Sequence, residues 1–411
     1  MLLRDSAALA IFLKRSKQLS LSLVVENGYP YGPTLEKTEY GIMFREVLFA
    51  SFAKFIRRCH RLELNVRFNS FPWDGTASTI SSAIHEATRL KTLSIFRGWA
   101  RFLKLEAIQY TRLQSLTTFE TERPLQLFGD LPADTLRHLE IKGDFMDWVE
   151  FVKTAKSFSN LRSLKLSMVC PTYSTDMESL SKKLSATHME HLDHLSVKFS
   201  HAFHVENSPL RMLEYIDAPN LVSFHACLSL NQSHTGAAEL ATFLSRTPLL
   251  IHLSLEDGVS FGVDEHCMVL QSVPQLKSLS FAHCALEGNH NGTIPLIAVL
   301  TETSECISSR DAIKHAHPLL CPSLEDITIK APPIIRSKDV LALLTARVCC
   351  ADEGIKSSEV ATLDVPISEG QRTGSCLGET KLRRARISAH LSHELPEWDH
   401  LRGKGLLLEI S

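Results

Sequence analysis

His188, His191 and His194 recur at steps of three, a spacing at which side chains can meet on one helix face and share a metal ion. The three run from a return segment into a strand, however, and no carboxylate or cysteine stands opposite them in a helix-facing pair. They read as structural, and no metal site is expected. Lys381, Arg383, Arg384 and Arg386 form a basic run that reads either as a solvated face or strand edge or as a nuclear address. The ten cysteines are scattered without a Cys-x-x-Cys pair, which spells out neither a zinc ribbon nor a thioredoxin-like site. Cys349 and Cys350 adjoin a helix end and read as buried or half-buried thiols, because adjacent cysteines rarely reach disulfide geometry. The phosphate-loop, dinucleotide, serine-elbow and His-Glu-x-x-His patterns are all missing from the sequence. The residues therefore point to no catalytic group and no cofactor. The enzyme alternative shrinks to a convergent titratable cluster hidden in residues 282–322.

The totals narrow the classes further. The chain has 411 residues and a 44% apolar fraction, so it folds, either as several domains or as one elongated array. Its 44 Lys+Arg against 46 Asp+Glu leave a formal charge of −2. A protein living on nucleic-acid phosphates needs a basic excess, so no nucleic acid is expected as partner. The apolar run Ala7–Leu13 precedes its cations Lys14, Arg15 and Lys17, the reverse of a secretory signal. No uncharged stretch approaches the roughly 18 residues of a membrane span. An intracellular, cytoplasmic or nuclear location without a membrane is expected. The sequons at Asn231 and Asn291 then read as accidental.

A six-residue phrase organises the chain. Leu90-Lys-Thr-Leu93-Ser-Ile95 returns as Leu136–Ile141, Leu161–Leu166, Leu192–Val197, Leu250–Leu255, Leu276–Phe281 and Leu324–Ile329. Weaker copies sit at Leu113–Leu116, at Leu221–Phe224 and, near the start, at Leu62-Glu-Leu64-Asn-Val66. The steps between first leucines range from 23 (Leu90 to Leu113) to 31 (Leu161 to Leu192), apart from the 48 between Leu276 and Leu324. In L-x-x-L-x-L the last two apolar places point to one face of a strand and the residue between them to the other. One such strand cannot bury its apolar side alone, whereas a parallel stack can.

The segments between phrases read as helices over 78–87, 147–158, 237–246 and 337–347. Leu240, Phe243 and Leu244, for example, fall at the steps of a one-sided helix. Strands alternating with helices require parallel pairing and an α/β class. The expected fold is a leucine-rich-repeat solenoid, with a curved parallel sheet on the concave side and helices on the convex side. A compact doubly wound fold is the alternative. The solenoid spans 1–350 with an N-terminal helix and strand as cap, and 282–322 is an insertion within it. Residues 351–411 form an irregular region in which Leu406–Ile410 reads as a capping strand.

Three segments resemble the fungal F-box/leucine-rich-repeat proteins over roughly residues 1–350. They are Ala8–Ser16 leading into Leu19–Leu23, Phe55–Leu64, and Leu320–Ile329 followed by Ser337–Arg347. The resemblance implies a substrate-recognition subunit of a cullin-type ubiquitin ligase. That role uses an F-box ahead of the first repeat, whereas Met1 opens on the helix that follows it in the family. Binding of the ligase adaptor is therefore not expected, and a non-catalytic interaction scaffold is the leading reading.

Residues beside the fourth place of each phrase, and the one after the sixth, point away from the core. Along the array these are His138, Glu140, Lys142, Lys165, His194, Lys198, His225, His252, Glu256, Asp326 and Lys330, with serines such as Ser163, Ser196, Ser254, Ser278 and Ser280 between them. A mildly cationic floor of this kind suits an acidic or phosphorylated peptide. A merely solvated sheet face is the plainer alternative. The turn-rich 27–33 loop and the 282–322 insertion are further places where a partner is able to dock.

Overall fold

A computed structural model describes residues 11, 15–16, 21–26, 55–65, 74–95, 113–119, 134–147, 151, 155–172, 185–200, 209–229, 236–256, 261, 263–282, 297, 300, 320–330, 337–353, 382–388 and 397–410. The 27–33 loop, both sequons, most of 282–322 and nearly all of 351–381 lie outside these residues. Chain contacts divide the molecule into two compact units, residues 1–192 and 193–411.

In the first unit, β1 (Leu21–Glu26), β2 (Cys59–Asn65), β3 (Thr92–Ile95), β4 (Ser115–Phe119), β5 (His138–Asp147) and β6 (Ser163–Thr172) pair in chain order, all parallel. The register stacks the fourth place of each phrase on the next, so Leu62, Leu93, Leu116, Leu139 and Leu164 form one buried column. A helix, α1 (Asp74–His85), returns the chain between β2 and β3, and the short β7 (Thr187–His188) closes the unit.

The second unit repeats the plan. Its sheet runs β8 (His194–Ser200), β10 (Ser223–Ser229), β11 (His252–Glu256), β12 (Ser278–Ala282), β13 (Asp326–Lys330), β14 (Arg384–Ile387) and β15 (Leu407–Ile410), again parallel. Among the described residues its helices include α2 (Ala237–Ser245), α3 (Val263–Gln271), α4 (Ser337–Glu353) and α5 (Glu397–Gly403), and positions 297 and 300 are also helical. A 3-10 turn at Pro209–Tyr215 leads into the two-residue β9 (Ile216–Asp217). The fourth-place column here is Leu195, Phe224, Leu253, Leu279, Ile327, Ala385 and Leu408.

Helix and strand share one sequence module. In α2, Leu240, Phe243, Leu244 and the following Thr247 are buried, and Leu250, Leu253 and Leu255 continue the apolar series. Ile80, Ala83, Ile84 and Ala87 precede Leu90, Leu93 and Ile95 at identical steps, as His266, Val269, Leu270 and Val273 precede Leu276, Leu279 and Phe281. One apolar series thus runs from the buried stripe of a helix into the buried places of the strand that follows it. In these repeats the last stripe residue lies three before the first phrase leucine, and the carbonyl at that place accepts the leucine's amide in Leu90→Ala87, Leu161→Phe158, Leu250→Thr247, Leu276→Val273 and Leu324→Cys321 at 2.9–3.3 Å. Thr247 fits this dry place because its hydroxyl donates to the Leu244 carbonyl at 2.8 Å.

Neighbouring repeats are laced at the strand entrance. The amides of Arg137 and His138 both donate to the Gln114 carbonyl, those of Arg162 and Ser163 to Arg137, and those of Lys277 and Ser278 to Ile251. Arginines tie the return side in the same way. Arg246 donates to the Leu213 carbonyl at 3.0 Å, and Arg347 to the Leu320 carbonyl at 2.9 Å. Buried turn carbonyls are costly to leave unmade, and a charged donor satisfies them well.

Several sequence expectations need correction. The helix expected to start at residue 147 begins later, because β5 extends through Asp147. Positions 151 and 155 are helical, which is where the module places them. In the weak copy near the start, which the sequence leaves without assigned places, Leu62 holds the fourth place, since it pairs with Leu93, and Cys59 fills the first. The helix from 337 continues past 347 to Glu353, so Cys349 and Cys350 lie inside it rather than beside its end. Helix α3 is not evident from the sequence. Nor is the phrase at Leu382–Ile387, whose arginines show there only as a basic run.

Cys59 and Cys321 both serve as core side chains, and burial pushes each thiol up to about 12, partly offset by Arg58 and Arg347 respectively. Because thiolate is the reactive form, both are expected to resist a thiol reagent at pH 8 in the native chain and to label fully in denaturant, read site by site by mass spectrometry. The sign for stability follows from proton counts. Between about pH 9 and 12 the unfolded chain has lost protons that these thiols retain, so they make stability fall as pH rises through that window.

Candidate binding surface

The face of each sheet opposite the helices is built by the odd places of the phrase. On the first unit the third place gives the row Arg61, Thr92, Ser115, His138 and Ser163, and the fifth gives Glu63, Ser94, Thr117, Glu140 and Lys165. On the second unit the rows are His194, Ser223, His252, Ser278, Asp326 and Arg384, then Ser196, His225, Ser254, Ser280, Thr328 and Arg386. Every described residue of these rows is exposed or half-exposed, while the fourth-place residue between them is buried wherever its burial is described, apart from the half-buried Leu23 and Leu408 of the two end strands. Strand alternation alone produces this separation.

The seventh place behaves differently. Lys198 and Lys330 are exposed and Lys142 and Glu256 half-exposed, but Cys227 and Ala282 in the same row are buried at 2% and 3% exposure. The expectation that this place always faces away therefore fails at those two strands, where small side chains stand.

The structure brings His138, Glu140 and Lys165 together. They line a shallow hollow of about 220 Å³ over β4, β5 and β6, with Ser115, Thr117 and Ser163 on its walls and Leu116 and Leu139 at its base. Glu140 is held by Lys142 at 2.9 Å. Among the described residues Lys165 has no ion pair, and the hydroxyls of Ser115, Thr117 and Ser163 have no hydrogen-bond partner. Sequence reasoning misses Ser115 and Thr117 as site residues because Thr118 replaces the sixth-place leucine and weakens the phrase there.

On the second unit the charges are mostly spent on one another. His225 lies 3.9 Å from Glu256, which also meets Lys330 at 3.6 Å. Arg384 sits 3.8 Å from Asp326, and Arg386 grips Glu409 through Nε at 2.8 Å and Nη2 at 2.6 Å. Exposed pairs of this kind contribute about 0–1 kcal/mol each, so they shape the charge pattern more than the stability. Lys198 is exposed and has no ion pair among the described residues. His194 and His252 share one row two strands apart, with Ser223 between them. No group of three metal-ligating side chains occurs among the described residues, and His188 and His194 lie on different strands. No helix among them is long and apolar enough to cross a membrane.

No family model matches the sequence, and no curated protein does. Among solved structures the chain is similar to one described as the crystal structure of a TLR13–ssRNA13 complex. The identity is 13% and the TM-score 0.31, over 70% of this chain. The match spans 45% of that chain, less than half its length.

Proposed function

We propose that the chain is a leucine-rich-repeat solenoid of the F-box/leucine-rich-repeat type. Its role is that of a non-catalytic scaffold binding a protein or peptide on the outward strand face. The register carries this reading. Buried columns and polar rows alternate strand after strand, leaving a face of serines, threonines, histidines and charged side chains on which Lys165 and Lys198 have no ion pair among the described residues. Solenoids bind through extended faces of this kind. The unspent cations Lys165 and Lys198 favour an acidic or phosphorylated partner over a basic one.

Charge reversal tests the reading. Lys165→Glu and Lys198→Glu, singly and together, are expected to leave the melting temperature nearly unchanged, since both side chains are exposed and unpaired among the described residues. Loss of a true hot spot lowers binding by about 2 kcal/mol or more, which removes most captured partner from cell extract. Recovery of every partner by the double variant places the binding surface elsewhere, with the 282–322 insertion next in line.

A further inference from the structure

We propose that the hollow over β4–β6 is a subsite for a phosphate monoester, the phosphoryl group of a phosphoserine or phosphothreonine in the bound protein. The inference rests on the strand face being the binding surface and adds what one part of it recognises.

The hollow gathers donors that the fold leaves idle. Ser115, Thr117 and Ser163 offer three hydroxyls without partners among the described residues, and Lys165 offers an ammonium without an ion pair. The single carboxylate in the lining, Glu140, is neutralised by Lys142 at 2.9 Å and so does not cancel Lys165. Such a set matches a group with a charge of about −1.5 to −2 and three strong acceptor oxygens. The spacing matches too. Adjacent strands are about 4.8 Å apart, and the third and fifth places of one strand about 6.6 Å, so the lining residues stand on a grid of roughly 5 by 7 Å. Donors at hydrogen-bond distance from the oxygens of one tetrahedral group ring it at roughly that diameter.

The neighbouring chemistry discriminates among anions. A carboxylate has two oxygens and one charge and leaves part of this donor set idle. A nucleic-acid backbone needs a track of cations, whereas the row that contains Lys165 also carries Glu63 and Glu140. On the second unit Arg384, Arg386 and Lys330 are engaged by Asp326, Glu409 and Glu256. Idle hydroxyls and an unspent cation coincide at this hollow.

The test uses the full chain and three probes read by ligand-observed NMR: N-acetyl-phosphoserine amide, N-acetyl-glutamate amide and a short single-stranded RNA. Phosphoserine is expected to bind at least ten-fold tighter than glutamate, and Lys165→Gln to weaken it about ten-fold. Ser115→Ala should weaken it by a smaller factor, and Lys198→Gln on the second unit should leave it unchanged. Inorganic phosphate is expected to compete, which assigns the recognition to the phosphoryl group itself. Equal binding of glutamate, preferential binding of RNA, or phosphoserine binding indifferent to Lys165→Gln each overturns the subsite. Partner capture separates this from the broader reading. If phosphoserine does not bind while Lys198→Glu still abolishes capture, the subsite fails and the face remains. If phosphoserine binds as described while capture survives charge reversal on both units, the subsite stands and the face does not.

Discussion

Phe224→Ala is expected to destabilise the second unit by about 3–5 kcal/mol, read as a lowered urea midpoint with an unchanged slope. Phe224 fills the fourth place of its phrase, where the neighbouring β8 and β11 carry Leu195 and Leu253 and β12, one strand further, carries Leu279. It is fully buried, and its ring meets that of Phe243 on α2 with centroids 5.4 Å apart and planes tilted by 54°. Truncation removes both the transfer free energy and a contact joining the strand to its return helix. Since leucine is the residue the repeat itself places there, Phe224→Leu is expected to recover most of the loss, leaving roughly 1.5 kcal/mol or less. A double-mutant cycle with Phe243 should return a coupling of about 0.5–1.5 kcal/mol. A Phe224→Ala protein as stable as the parent would contradict the packing of α2 on the sheet.

Leu164→Ala makes the corresponding statement about the first unit. Leu164 is fully buried in the column that includes Leu139 and Leu116. The same element ends the stripe of Phe151, Ala155 and Phe158, which leads through Leu161 into β6. The column cannot collapse without shifting the strand register, so a loss of about 2–5 kcal/mol is expected. Lys165→Ala, one residue on and exposed, should change stability by roughly 0.5 kcal/mol at most. The contrast between adjacent residues is the informative part, because it reads strand alternation directly by denaturant titration. Equal effects at the two positions would remove the strand from this place.

Much of the strand plan is legible in the residues alone. L-x-x-L-x-L encodes both the strand and its buried side, so the column through Leu139 and Leu164, and the one through Leu253 and Leu279, follow from the phrase. The outward positions of His138, Lys165, His194 and His252 follow from the same alternation. Other parts are hidden by substitution. Cys59 and Ala385 stand in leucine places and disguise their phrases. His266 begins the buried stripe of α3, which blurs its apolar period. The buried residue three before each phrase varies from Ala87 to Phe158 to Cys321, because what the turn needs from it is burial and a backbone carbonyl. The hollow is hidden for another reason. It is made by residues of three strands, and Lys165 keeps its charge unspent because Glu140 turns to Lys142. The meeting of Glu256 with Lys330 likewise depends on strands far apart in sequence.

Site-specific photo-crosslinking tests most directly whether the outward strand face is the binding surface. A benzophenone side chain at Thr117 or Ser254 sits in the outward rows, whereas one at Thr242 sits on the exposed side of α2. The account predicts that a cellular partner crosslinks from Thr117 or Ser254 and not from Thr242. Crosslinks from Thr242 alone, with none from either strand position, would contradict it.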